Sequence, residues 1–322
     1  MDLSIITVCR NAAATLPRCL ASTAPLLRSS ELQVEHLIID GASTDNTPEL
    51  LAQALREQRI SRYISEPDSG IYNAMNKGLA LASGTICVFI NADDEIGTDA
   101  VAACCRPILE GHCDYTVSTA RLIAADGSER VPWKPDFERI WIGVPYCHQT
   151  LYCRTELLRQ LGGFDESLRI AADTDLIGRL YKGCYPHTIV DAISAVFYQG
   201  GASAGDAMYS EQLSEVLRHT DDILIRAAER PGYTDAALRM LLFHLSRYFR
   251  HARPAQRDRL VIRAMKLHRS LAALLPAPRR RKLRLRYSRK ARLYRLLALL
   301  PGSKSADRLL RAGVYATLAD CC

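Results

Sequence analysis

The chain has 322 residues, 48% hydrophobic and 24% charged, enough for one large or two smaller globular domains with a substantial core. Its net charge of +7 is unevenly divided: residues 1–246 carry 21 Lys+Arg against 32 Asp+Glu, and residues 247–322 carry 21 against 3. An acidic front and a basic tail predict two functions on one chain.

No run of about 18 uncharged apolar residues occurs, so no spanning helix is predicted. The opening "MDLSIITVCRNA" lacks a basic stretch followed by a long apolar one, so no secretory leader is expected. Eleven scattered cysteines without a CxxC pair predict free thiols in a reducing compartment rather than a zinc site. The expected location is cytoplasmic.

In chain order, "SIITVC" (4–9) is a β-rich apolar run, followed by a helical pattern over 13–27. "VEHLIID" (34–40) is a second strand, with a turn-rich "GASTDNTP" and a helix over 48–58 behind it. "ISRYISE" (60–66) is a third strand running into "PDSG"; residues 71–82 are helical, and "GTICVFI" is a fourth strand. This alternation predicts βαβ units and a largely parallel sheet. Further on, "CDYTVSTARLIAADGSERV" alternates like a hairpin turning at Asp126-Gly127. An aromatic loop leads to a strand near "QTLYC", helices follow at 155–161 and 173–182, and the chain beyond about 205 is mostly helical by pattern.

In such sheets ligands gather at the carboxyl ends of the strands. Three of the first four strands lead into acids: Asp40, then Glu66 with Asp68, then Asp93-Asp94. A carboxylate pair beside a phosphorylated ligand needs a divalent cation, and Mg²⁺ or Mn²⁺ takes one or two carboxylates plus substrate phosphates. Asp93 is the candidate ligand, with Asp94 beside it and Asn91 as a neutral contributor.

The motifs "IIDGASTDNT", "EPDSGIYNAMNKG" and "FINADD" occur in that order, followed by "HQTLYCRTELLRQLGGFDESLRIAADTDLIGRL" and "FYQGGAS". Together, over roughly residues 3–205, they resemble family 2 glycosyltransferases with a GT-A-type, Rossmann-like fold, and most of all those that build bacterial surface polysaccharides. The resemblance implies an α/β nucleotide-sugar-binding domain with a mostly parallel mixed sheet over 1–205. A basic α-helical region would follow at 206–322. It implies an inverting, Mn²⁺- or Mg²⁺-dependent enzyme moving one sugar from a nucleotide-diphosphate sugar to a saccharide or lipid-linked acceptor.

By that resemblance, Asp40 would bind base or ribose, Asp68 the base, and Thr7 and Arg10 would lie against the nucleotide. Asn76, Asp94 and His148 would complete the donor site, Asp93 would hold the metal, and Asp173 would be the catalytic base. His148 could equally contact the acceptor. Two positions depart from the family pattern: Asn91 replaces the first acid of D-x-D, and Ala172 replaces a glutamate before the base. The family's Q-x-x-R-W motif is missing after Asp173, so one sugar per encounter is expected. Asp165, Glu166 and Asp175 read as structural, Lys77 as a solvated helix charge, and Trp133 and Trp141 as either an acceptor wall or core. Two rival readings remain: a polyprenyl-phosphate glycosyltransferase, and a non-catalytic nucleotide-sugar-binding or scaffold protein.

Between 247 and 311 basic residues interleave with leucines, as in "RLYRLLALL". An amphipathic helix on anionic lipid is the expected partner arrangement, making the protein peripheral on the inner face of the membrane. Phosphate-mediated nucleic-acid binding and a solvated helical appendage are the alternatives, and no recognition motif supports nucleic acid.

Overall fold

The computed structural model describes residues 1–200, 213–214, 216–251 and 254–298. These fall into two compact units, one of residues 1–137 with 144–200, the other of 138–143 with the described residues from 213 onward. The predicted boundary at 205/206 and the end of the basic tail lie outside the described residues.

The first unit is built on a nine-stranded sheet of order β3-β2-β1-β4-β8-β6-β9-β5, with β7 paired to β6. Strands β1 (Leu3–Cys9), β2 (Val34–Asp40), β3 (Arg62–Ser65) and β4 (Ile86–Phe89) are parallel, so their carboxyl ends open on one edge. Every residue of β1 and β4 is buried, the continuous apolar pattern of strands covered on both faces. Helix α1 (Leu16–Thr23) buries Leu16, Cys19, Leu20 and Thr23, one face at helical spacing. It begins later than the sequence pattern suggested because Pro17 takes a first-turn position, where its missing N–H costs nothing. Helices α2 (Thr47–Arg56) and α3 (Ile71–Leu81) complete the βαβ alternation.

Beyond β4 the sheet becomes mixed. The two-residue β5 (Glu95–Ile96) and α4 (Val101–Leu109) precede β6 (Tyr115–Ile123) and β7 (Glu129–Trp133), the latter pair turning at Gly127, whose φ is +80°. Strand β8 (Leu151–Arg154) is antiparallel to both β4 and β6, and joins the two halves of the sheet. After α5 (Thr155–Gln160) and α6 (Ala172–Lys182), β9 (His187–Tyr198) runs parallel to β6 and antiparallel to β5.

The second unit holds helices over Thr220–Glu229, Pro231–His251, Pro254–Ala273 and Ala277–Ala298. Leu241, Leu245 and Tyr248 face inward from the second, and Ala264, Leu267 and Leu271 from the third. Among the described side chains of the last helix, the Arg-rich one, Tyr287 and Ala291 are buried and Leu283 partly so, at intervals of four residues, while Leu285 is exposed. Its Tyr287 hydroxyl lies 3.1 Å from His268 Nε2. Arg279, Arg281, Lys282, Arg284, Arg286 and Arg289 stay exposed. Among the described residues no helix is long and apolar enough to cross a membrane, and nine cysteines are free thiols.

Candidate active site

Three loops leave the carboxyl ends of β1, β2 and β3 and are fastened to one another. Residues 10–13 and 41–47 are joined by Asn11 N donating to Ser43 Oγ (2.7 Å), Thr44 N donating to Asn11 Oδ1 (2.8 Å) and Ala12 N donating to Thr47 Oγ1 (2.9 Å). Gly41 sits where any Cβ would overlap the Asp68 carboxylate and lie 3.5 Å from Arg10 Cδ, so Arg10, Gly41 and Asp68 converge at the strand ends. Asp68 itself accepts from Gly70 N (3.0 Å), across a backbone with φ +142° that only glycine adopts readily. Lys77 is not a free solvated charge: its ammonium bonds Pro67 O (2.9 Å) and pairs with Glu66 (2.7 Å), holding that third loop down.

Not every predicted donor residue faces this opening. The Asp40 carboxylate is fully buried and accepts from Ser43 N (3.1 Å), Ser43 Oγ, Ser65 Oγ (2.6 Å) and Cys9 Sγ (3.7 Å). It therefore ties the ends of β1, β2 and β3 together. Thr7 is buried as well, its hydroxyl 2.9 Å from His36 Nε2, and burial holds that imidazole neutral by lowering its pKa to about 3. Asn76 uses its side-chain amide on Phe164 O (2.9 Å), Phe164 N (2.8 Å) and Glu166 Oε1 (2.8 Å), which docks the "GGFDES" turn on α3.

At the end of β4 the two adjacent carboxylates differ. Asp94 is 1% exposed and accepts from Tyr198 N (2.7 Å) at the end of β9 and from Gln149 Nε2. Burial first, and the Asp93 charge second, push its pKa up to about 7. Asp93 is partly exposed, and no hydrogen bond or ion pair engages its carboxylate among the described residues. Its backbone carbonyl accepts from Arg18, whose guanidinium also pairs with Glu95 (3.4 Å) and lies 3.5 Å over the Tyr198 ring. Asn91 Oδ1 is buried without a partner. No cluster of three or more His, Cys, Asp or Glu side chains is arranged to hold a metal among the described residues. One open carboxylate does suit a cation that takes most of its ligands from substrate phosphates and water.

On the opposite side of this edge, Asp173 lies in the first turn of α6. Its Oδ1 accepts from Thr174 N (2.8 Å), and its Oδ2 is 3.4 Å from His148 Nδ1. His148 Nε2 is buried with no partner. Asp173, His148, Phe89, Phe164, Leu151, Leu158 and Leu176 line one cavity. Phe89 is the last residue of β4, so this small, mostly apolar cavity is lined both by the end of that strand and by Asp173, while Asp93 lies outside its lining. Asp175, two residues on, pairs with Arg179 (2.8 Å), which donates to Leu161 O and Gly163 O (both 2.6 Å). Trp133 packs on the cluster of Ala120, Cys147 and Ala195, and Trp141 belongs to the helical unit, where it lies 4.6 Å from His219. Sequence reasoning passed over Arg18, Gln149, Tyr198 and Tyr72, whose partners are separated from them by 55 to 104 residues or lie across the sheet.

Residues 4–156 match the family described as Glycosyl transferase family 2. The PGL/p-HBAD biosynthesis glycosyltransferase of Mycobacterium bovis (strain BCG) is 30% identical over 195 residues, spanning 58% of this chain and 74% of that protein. Among solved structures, S. aureus TarS 1–349 in complex with UDP-GlcNAc gives a TM-score of 0.63 at 17% identity, over 99% of this chain and 91% of that one. The mannosyltransferase PcManGT from Pyrobaculum calidifontis, in complex with GDP-Man and Mn²⁺, gives 0.53 at 17% identity, over 99% and 86%. These two likenesses bear on the fold, a mixed α/β GT-A-type architecture. The chain belongs to glycosyl transferase family 2 and is a glycosyltransferase.

Proposed function

We propose that the protein is an inverting glycosyltransferase that moves one sugar from a nucleotide-diphosphate sugar to a saccharide or lipid-linked saccharide acceptor in surface polysaccharide synthesis. The observation that carries this reading is the open Asp93 carboxylate after β4 together with the His148–Asp173 pair, which lines a cavity with Phe89, the last residue of β4. Together they give the donor and the acceptor a common edge. The TarS and PcManGT structures are complexes with UDP-GlcNAc and with GDP-Man, which supports a nucleotide-sugar donor here.

Arg10 and Asp68, flanking Gly41, are assigned to the nucleoside, and Asp93 to a Mn²⁺ or Mg²⁺ ion on the diphosphate. Such an ion, when bound, offsets the charge of the departing nucleotide diphosphate. Asp40, Thr7, Asn76 and Asp94 are assigned to shaping the donor site, since their polar atoms bond to neighbouring protein groups. The acceptor hydroxyl gives its proton to Asp173 as its oxygen bonds the anomeric carbon and the bond to the diphosphate breaks. His148 Nδ1 lies against the Asp173 carboxylate, and the partly exposed imidazole is assigned to an acceptor hydroxyl or a donor phosphate oxygen. The exposed arginines of the helix Ala277–Ala298 are assigned, by their charge, to an anionic membrane surface.

The test is a hydrolysis and transfer screen of the purified protein against nucleotide sugars with Mn²⁺, Mg²⁺ or EDTA. Metal-dependent release of a nucleotide diphosphate from one donor supports the reading. Donor binding without turnover, with any acceptor extract and metal, would favour a binding protein instead.

A further inference from the structure

Helix α3 starts directly after the loop carrying Asp68 and runs alongside the segment that leads to Asp173. Its second residue, Tyr72, is 7% exposed. The hydroxyl donates to Ile170 O (2.5 Å) and lies 3.5 Å from Asp173 Oδ1, while the ring stacks on Phe164 at 5.6 Å between centroids. Burial, with the Asp173 charge beside it, pushes the phenol well above its ordinary pKa, so it stays a donor across the working pH range. A hydroxyl has one proton. The shorter bond places it on Ile170 O, so the group acts on Asp173 chiefly through the backbone three residues upstream.

The next turns repeat the connection. Asn73 Oδ1 accepts from Ser69 N (3.4 Å) in the Asp68 loop, and its Nδ2 donates to Glu166 (2.9 Å). Asn76 adds its bonds to Phe164 and Glu166. Behind them, Gly78 leaves no room for a Cβ against Ile6 of β1, so the helix is seated tightly on the sheet. A rigid helix thus holds the donor-side loop at one end and the Asp173 approach along its flank.

We propose that Tyr72 is a positioning residue that fixes Asp173 relative to the donor loop through the Ile170 carbonyl. This rests on the reading of Asp173 as the base. A phenylalanine would fill the same volume and keep the stack on Phe164, so packing alone gives no reason for the hydroxyl, which is costly to bury unless bonded. Misplacement of a reacting group by about 1 Å can cost as much as a hundredfold in rate.

The experiment compares wild type, Tyr72→Phe, Glu35→Ala and Asp173→Asn. Turnover of the donor that wild type hydrolyses is measured, with UDP and GDP binding in Mn²⁺ and amide exchange over 168–176. Tyr72→Phe should lower kcat by about ten- to a hundredfold, leave donor KM and nucleotide Kd within about twofold, and speed exchange over 170–174. Glu35→Ala, at the opposite ends of the strands, should lower the melting temperature without that kcat-specific loss. Wild-type kcat in Tyr72→Phe, with Asp173→Asn inactive, overturns the role of Tyr72 alone. Parallel losses of kcat and nucleotide binding overturn it too, as a general packing effect. Wild-type turnover in Asp173→Asn overturns instead the underlying assignment of the base.

Discussion

His148 Nδ1 lies 3.4 Å from Asp173 Oδ2, joining the turn before β8 to the first turn of α6. Both side chains keep some exposure, 17% and 21%, so a substrate hydroxyl can still reach the pair. Replacing Asp173 by Asn should lower turnover by about 10²–10⁴-fold while donor affinity stays unchanged. His148→Gln should give a smaller loss, about tenfold. Steady-state kinetics alongside calorimetric nucleotide binding check both.

Asp94 carries a pH signature. Its pKa of about 7 in the fold, raised by burial, exceeds the value of about 3.9 in an unfolded chain. The native state therefore holds its proton more tightly. The stability this contributes is complete below about pH 4 and is lost as pH rises through about 7, falling by about 1.4 kcal/mol for each pH step of one between those limits. Asp94→Asn lacks this dependence. Urea unfolding in EDTA at pH 5 and pH 8 should show wild type losing stability relative to Asp94→Asn; an unchanged difference contradicts the burial argument.

The opposite ends of the strands carry a purely structural acid. Glu35 is 9% exposed and accepts from Ser4 Oγ (2.5 Å), Ser83 N (2.6 Å) and Ser83 Oγ (2.9 Å). Glu35→Ala should destabilise the fold by about 1–3 kcal/mol, since three donors lose their acceptor. Gly84→Ala should cost a similar amount, because its Cβ would meet Ser4 N at 2.5 Å, and backbone cannot step aside. Denaturant midpoints measure both, and nucleotide binding by the folded fraction should be unchanged.

The chain order of strands and helices through β4 was legible because each element has its own period and its own turn residues. The strand-end acids were legible for the same reason, and Asp93 does stand open at the end of β4. Which acid is left open was not legible. Asp40 and Asp94 look like Asp93 in sequence, but Ser65 reaches Asp40 from β3, and Tyr198 reaches Asp94 from 104 residues away. β5 has two residues and no readable period; β9, "HTIVDAISAVFY", has no strict polar–apolar alternation, and only its pairing with β6 and β5 makes it a strand of this sheet. The Arg-rich helix read as amphipathic; that its Tyr287 lies against His268 is a tertiary fact its own pattern does not carry.

The exposed basic side chains of that helix yield a prediction about membranes. Binding to phosphatidylserine-containing vesicles should be electrostatic, strong at low ionic strength and lost by about 0.5 M salt, where exposed charges are screened within about 4 Å. Charge reversal at Arg281, Lys282, Arg284 and Arg286 should remove it without altering nucleotide affinity. Co-sedimentation that persists in high salt would instead point to apolar insertion.

The central claim is that a nucleotide-diphosphate donor binds at the β4 strand end through an ion on Asp93. The most direct measurement is calorimetric binding of UDP and GDP to wild type and Asp93→Ala, each with Mn²⁺ and with EDTA. The account predicts that one nucleotide binds wild type at least tenfold more tightly with Mn²⁺, and that Asp93→Ala abolishes this gain while leaving the weak metal-free affinity in place. Equal Mn²⁺ enhancement in wild type and Asp93→Ala would contradict it.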